Sequence, residues 1–105
     1  MTGRYALVLV TVGERREAEK IARHLVANRL AACVGIVPQR SIFRWEGKVA
    51  EEDEYLLMIK TVGEGFSALR DAVLAMHTYE VPEIISIDIT DGNAGYLDWI
   101  SKSVD

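Results

Sequence analysis

The sequence is poor in the residues that staple, punctuate or charge a chain strongly. Its 105 residues include one cysteine and two prolines. A lone Cys excludes an internal disulfide and any C-x-x-C metal or redox motif, and it fits a reducing compartment. No apolar run approaches the ~18 residues of a membrane span, and no secretory signal is evident, so a cytoplasmic protein with no membrane partner is expected. A basic surplus is also missing. The net charge of −4 argues against nucleic acid, whose phosphates need a basic face. There is no repeat, no low-complexity tract and no linker. Half of the residues are hydrophobic and 27% are charged, which is globular rather than disordered composition. A chain this long can bury roughly 60–70% of its unfolded surface, so one domain over residues 1–105 is expected.

The pattern along the chain divides into seven elements. Tyr5 to Val12 is a continuous, largely branched run ended by Gly13, which predicts a strand buried on both faces. From Glu14 to Arg29, Ala18, Ile21, Ala22, Leu25 and Val26 recur at helical steps, with acids in the first turn and Arg29 in the last. Ala32 to Val37 reads as a second strand. Pro38 marks a bulge or an edge because it cannot donate to a ladder. The strand pattern then resumes, with Ser41, Phe43 and Trp45 on one face and Arg40, Ile42 and Arg44 on the other. Glu46-Gly47-Lys48 predicts a hairpin turn. The return strand runs from Val49 through an acidic stretch to Thr61. A second helix carries Phe66, Leu69, Val73 and Met76, Ile84–Ile89 is a fourth strand, and a short helix runs from about Ala94 to Ser103.

The order β-α-β-β-α-β plus a terminal helix predicts an α+β, ferredoxin-like antiparallel sheet with its helices on one face. The first and third strands are nevertheless apolar on both faces. Two helices cover one of them, and an exposed apolar sheet of that size is rare in a monomer. Partner subunits are therefore expected on the open face. The Gln39–Glu54 hairpin overreaches the core and offers an edge to a neighbour.

The candidate chemistry gathers at His77-Thr78-Tyr79-Glu80-Val81-Pro82-Glu83. His77 ends a helix, where a cationic side chain suits the unpaired carbonyls. It is also, with Glu83, a possible metal ligand. Cys33 reads as a core thiol or a soft ligand. His24 reads as a surface residue. Trp45 and Tyr79 offer an aromatic wall for a small ligand between subunits, and Lys60, Arg40 and Arg44 offer it an anion contact. No nucleophile, base and orienting group stand together, so no enzyme is expected.

Five segments in one order resemble the CutA family of divalent-cation-tolerance proteins. They are Arg29-Leu30-Ala31-Ala32-Cys33-Val34, Trp45-Glu46-Gly47-Lys48, Ile59-Lys60-Thr61, Tyr79-Glu80-Val81-Pro82-Glu83-Ile84, and Gly92-Asn93 with Tyr96-Leu97-Asp98-Trp99. The resemblance implies a homotrimer of ferredoxin-like subunits, similar in assembly to PII signalling proteins. It also implies a divalent metal such as Cu(II) at His77 and Glu83, with Cys33 a possible contributor and no organic cofactor. Tyr79 and Pro82 would shape the cleft, with Lys60 and Trp45 beside them. Two alternatives stand: a PII-like signalling module taking a small anion between subunits, and a structural trimeric scaffold. Two positions depart from the family. Thr78 stands where Pro is frequent, and Val10 stands where some members carry a Cys.

Overall fold

A computed structural model describes residues 4–105. The expected domain bounds of 1–105 therefore include three residues, 1–3, that lie outside the described ones. The elements run β1 (Tyr5–Val12), α1 (Arg15–Ala27), β2 (Cys33–Trp45), β3 (Lys48–Val62), a 3-10 turn at Gly63–Gly65, α2 (Phe66–Met76), β4 (Ile84–Ile89) and α3 (Ala94–Ser103). One four-stranded sheet has the order β2-β3-β1-β4, antiparallel throughout. The expected ferredoxin-like topology is the one observed.

Strand alternation sorts the sheet into two faces. Ala6, Val8, Val10 and Val12 of β1 and Leu57, Ile59 and Thr61 of β3 are buried under α1 and α2. Ala18, Ile21 and Leu25 of α1 and Leu69 and Val73 of α2 close this core. Each fully buried Val, Leu or Ile contributes about 1.5–3 kcal/mol of transfer free energy. On the other face the register aligns Leu7 with Lys60 and Ile87, and Leu9 with Met58 and Ile85. Val37, Ile85 and Ile87 are exposed there. Only α3 reaches this face. It packs Ile100, Leu97 and Val104 against Tyr5, Val62 and Ala32 at one end, and Ser101 Oγ donates to Tyr5 Oη at 2.9 Å.

The β2–β3 pairing is unbroken from Cys33↔Lys60 to Trp45↔Lys48. Pro38 therefore causes no bulge. It is accommodated because β2 is an edge strand, where a missing N–H leaves no ladder partner stranded. β1 ends at Val12↔Tyr55, so beyond that level the hairpin is a two-stranded ribbon. Such a ribbon is marginal alone in water. It stretches the molecule to 44 Å along one axis, with a radius of gyration of 14.1 Å.

α1 ends two residues before the expected Arg29. Asn28 caps it, with Nδ2 donating to His24 O at 2.8 Å, and Arg29 turns out of the helix at φ 58°. A left-handed arginine costs energy that a glycine would not. Its guanidinium meets the far end of the chain instead. Nη2 donates to Lys102 O at 2.9 Å and Nε pairs with Asp105 Oδ1 at 2.8 Å, capping the carbonyl end of α3.

The ribbon tip joins Trp45 to Lys48 through Glu46 and Gly47, at φ 49° and 77°. Two positive φ values in a two-residue loop make a type I′ turn, for which Asn-Gly is preferred. Glu46→Asn should raise stability by about 0.5–1 kcal/mol in urea unfolding, with an unchanged m-value.

Candidate functional site

His77 follows α2 directly and turns extended, at ψ 140°, which swings the next residues across the end of β1. Its side chain is fully buried. Nε2 lies 2.7 Å from Thr11 O, and Nδ1 lies 3.0 Å from the Tyr79 amide nitrogen. A carbonyl oxygen only accepts and an amide N–H only donates, so Nε2 carries the proton and Nδ1 supplies the lone pair. Both ring nitrogens are occupied. A metal at His77 would have to take the Nδ1 lone pair from the Tyr79 amide, since a ligand nitrogen needs its lone pair. The imidazole instead splints β1 to the loop.

Two carboxylates hold the next two residues. Glu17, at the first turn of α1, accepts from the Thr78 N–H at 3.0 Å and the Thr78 hydroxyl at 3.1 Å. Glu54 on β3 accepts from Tyr79 Oη at 2.8 Å. Glu54 is 8% exposed. Tyr79 is 37% exposed, yet its hydroxyl end is enclosed, because a Cβ on Gly13 would stand 2.9 Å from Oη. Desolvation of the phenol comes first, and the hydrogen bond and charge of Glu54 come next. Together they push the Tyr79 pKa well above the ordinary tyrosine range. The ring also tilts against His77, with centroids 4.8 Å apart.

This loop forms one wall of an open groove of ≈ 820 Å³ whose other wall is the ribbon. Trp45, Phe43 and Tyr79 line it with Gln39, Ser41 and Val81. So do six carboxylates: Glu14, Glu17, Glu52, Glu54, Glu80 and Glu83. Among the described residues Arg40 is the one basic lining residue, and it is paired with Asp53 at 2.9 Å and Glu51 at 3.6 Å. The groove is therefore electronegative, with aromatic surface between the acids.

The expected site residues separate accordingly. Glu83, Tyr79 and Trp45 share the groove. Pro82 is half-buried between the lining residues Val81 and Glu83. Cys33 and Lys60 face each other across β2 and β3 on the open sheet face. They lie four residues from the Val37↔Leu56 level at which Thr11 sits, roughly 13 Å at about 3.3 Å per residue. Within one subunit Cys33 is therefore no partner of His77, and Lys60 is no wall of this groove. Glu17, Glu54 and Gly13 do belong to the site although sequence reasoning passed over them as site residues. Glu17 borders the apolar stripe of α1, and Glu54 shares its strand face with Leu56 and Met58. Those positions were the available signal.

Carboxylate oxygens suit hard divalent cations, which also retain water. Among the described residues no three His, Cys, Asp or Glu converge on one point. The donors thus fit a cation held by one or two carboxylates with water, or completed by another chain, rather than a closed cage.

The topology and this groove define a ferredoxin-like α+β protein with a carboxylate-rich cleft. The CutA1 divalent ion tolerance protein model matches residues 6–103, and the chain belongs to that family. It is 48% identical over 98 residues to the divalent-cation tolerance protein CutA of Thermus thermophilus, covering 92% of this chain and 95% of that one. The structure of the periplasmic divalent cation tolerance protein CutA from Archaeoglobus fulgidus superposes with a TM-score of 0.94 at 42% identity, over 96% of this chain and 99% of that chain. CutA1 from Oryza sativa gives 0.94 at 41% identity, over 99% and 96%.

The raised Tyr79 pKa has a defined sign. The neutral phenol is the donor, so its stabilisation is fully present below about pH 10, the unfolded tyrosine value, and is lost as pH rises through the higher folded value. Wild type should therefore show an alkaline loss of stability above about pH 10 that Tyr79→Phe lacks. Denaturant melts at several pH values check this. Gly13→Ala should displace the phenol and mimic Tyr79→Phe.

Proposed function

We propose that the protein is a homotrimeric divalent-cation-binding protein acting in the response to metal ions, and that it binds rather than catalyses. The observation that carries this reading is the groove's charge: six carboxylates against one arginine already in ion pairs. A field of that sign concentrates cations and repels anions, which disfavours the PII-like anion reading. The relatives' names speak of divalent-cation tolerance. Glu83 supplies a groove oxygen, neighbouring carboxylates and water supply the rest, and His77 shapes the wall. For such donors the Irving–Williams order favours Cu(II) among first-row divalent ions.

Assembly is supported by the open sheet face and the unsupported ribbon, both apolar surfaces that a monomer would leave in water. The number three comes from the family resemblance. In a closed ring each ribbon would reach a neighbour, and the groove along its base would lie near a subunit boundary.

Calorimetry with Cu(II) tests the site in a His24→Gln background, which removes the exposed helix imidazole as an adventitious ligand. Glu83→Gln should weaken binding by about tenfold, the scale of a lost charged contact. Equal isotherms would remove Glu83 from the site. Light scattering should give three times the 11.7 kDa chain mass, and a monomer at micromolar concentration would overturn the assembly.

A further inference from the structure

The β4–α3 connection carries a chemistry of its own. Asp91 and Gly92 are exposed and lie between Ile89, the last residue of β4, and Asn93, the cap of α3. The Asp91 side chain folds back over the peptide that follows it, and its Oδ1 accepts from the Gly92 N–H at 2.8 Å. Cγ is one bond from that oxygen, so an electrophilic carbon and an amide nitrogen are held together, the condition for an intramolecular attack. Gly92 has no side chain to screen its nitrogen. The glycine does not serve a left-handed backbone, since among the described residues Gly47 is the glycine with a positive φ. What it provides is space: a Cβ there would press on Leu97 Cδ2 at 3.3 Å and Cγ at 3.4 Å. Leu97 packs on the cluster of Ala32, Ile100 and Val104 that seats α3. The comparable residues are placed differently. Asp53, Asp71, Asp88 and Asp98 lie inside β3, α2, β4 and α3, and the residues after them are Glu54, Ala72, Ile89 and Trp99. Regular backbone and a neighbouring side chain hold each of those carboxyls off the next nitrogen. Asn28 Nδ2 donates to His24 O and Asn93 Oδ1 accepts from the Gly95 N–H, so neither side chain leans on the peptide that follows it.

We infer that Asp91–Gly92 is a self-modification site, at which the Gly92 nitrogen closes on Asp91 Cγ to give a cyclic imide that water reopens to isoaspartate. The Gly92 nitrogen loses its proton and forms the N–Cγ bond. The protonated carboxyl loses its hydroxyl from Cγ, and proton and hydroxyl leave as one water. Nothing is oxidised or reduced. Water then cleaves one of the two carbonyl–nitrogen bonds of the imide. Cleavage at Cγ restores aspartate. Cleavage at the backbone carbonyl carbon routes the chain through Cβ and Cγ and leaves that carbonyl as the free carboxylate. The charge is unchanged and the backbone is one carbon longer. The extra carbon enters just ahead of the cap of α3, where Asn93 O accepts from the Tyr96 and Leu97 N–H groups at 3.0 Å each. Moving Gly92 against Leu97 loosens the first turn of the one helix that reaches the open sheet face. The inference is independent of the groove and of what binds there.

The test uses the full chain with water as the only co-reactant. Folded protein is held at neutral pH and physiological temperature. Isoaspartate in its peptides is read by methyl transfer from S-adenosylmethionine with an isoaspartyl methyltransferase, and fragmentation locates it. It should accumulate at Asp91 about tenfold faster than at Asp53, Asp71, Asp88 or Asp98, preceded by a peptide lighter by one water. Asp91→Glu keeps the charge but lengthens the arm beyond five-membered closure, and the signal at this position should vanish. The same chain in urea separates geometry from sequence: Asp91 should convert as fast folded as unfolded. Hydrogen exchange at the Tyr96 and Leu97 amides should be faster in the purified isoaspartyl form than in fresh protein. Absence of isoaspartate at Asp91, or a rate no higher than at the other four aspartates, overturns the site. So does a folded rate about tenfold below the unfolded one, because the fold would then be holding the groups apart. Unchanged exchange at Tyr96 and Leu97 overturns the effect on α3.

Discussion

A sheet has two faces, and this chain has helices for one. The central strands β1 and β3 pair over eight residues from Tyr5↔Val62 to Val12↔Tyr55, and both are apolar on both sides. α1 and α2 cover one side with the principal core. α3 is ten residues long and covers one end of the other. Much else follows from that shortage. The remaining open face continues along the inner side of the ribbon, since Phe43, Ala50 and Glu52 fall on the same strand parity as Leu56 and Met58. The groove is the place where this surface changes from apolar to acidic.

That change happens where β1 stops. Beyond Val12 the third strand is gone, and the α2–β4 loop takes its place across the strand end. The loop cannot hydrogen-bond as a strand, so side chains do the anchoring. His77 uses both ring nitrogens, Glu17 receives Thr78, and Glu54 receives Tyr79. Gly13 lacks the side chain that would collide with the phenol. Burying the Glu54 carboxylate is costly without a donor. The phenol supplies one at little entropic cost, because Tyr has few rotors to freeze.

Most of the fold was legible in the residues. β1 and β4 match the expected strands, and α3 matches its expected span, because periodicity and apolar runs report local structure directly. Two positions, Pro38 and Arg29, are settled by tertiary structure. Pro38 reads locally as a bulge or an edge, and the sheet order, which is not local information, makes it an edge. Arg29 looked like a last-turn cation; its left-handed turn is compensated by carbonyls 73 and 75 residues away. The site was legible only in part. The His77–Glu83 segment was found because its chemistry is concentrated in sequence. Glu17 and Glu54 lie 61 and 25 residues from their donors, and no spacing rule brings them together. Cys33 was drawn in by ligand chemistry and by the family resemblance, and register places it about 13 Å along the sheet from the level of Thr11.

Thr78 stands where the family resemblance predicts a proline, and the structure shows how a threonine is accommodated there. A proline there would fix φ and stiffen the loop through the backbone, but it would bring no N–H. Thr78 gives up that stiffness and gains two donors, both spent on Glu17. The loop's order is thereby moved from a covalent ring to a carboxylate that also faces the groove. Rigidity from a ring is indifferent to charge in the surroundings. Rigidity from a carboxylate is not, because charges near Glu17 change the strength of its hydrogen bonds to Thr78. At this position the substitution exchanges a fixed corner for one whose order depends on the groove's electrostatics.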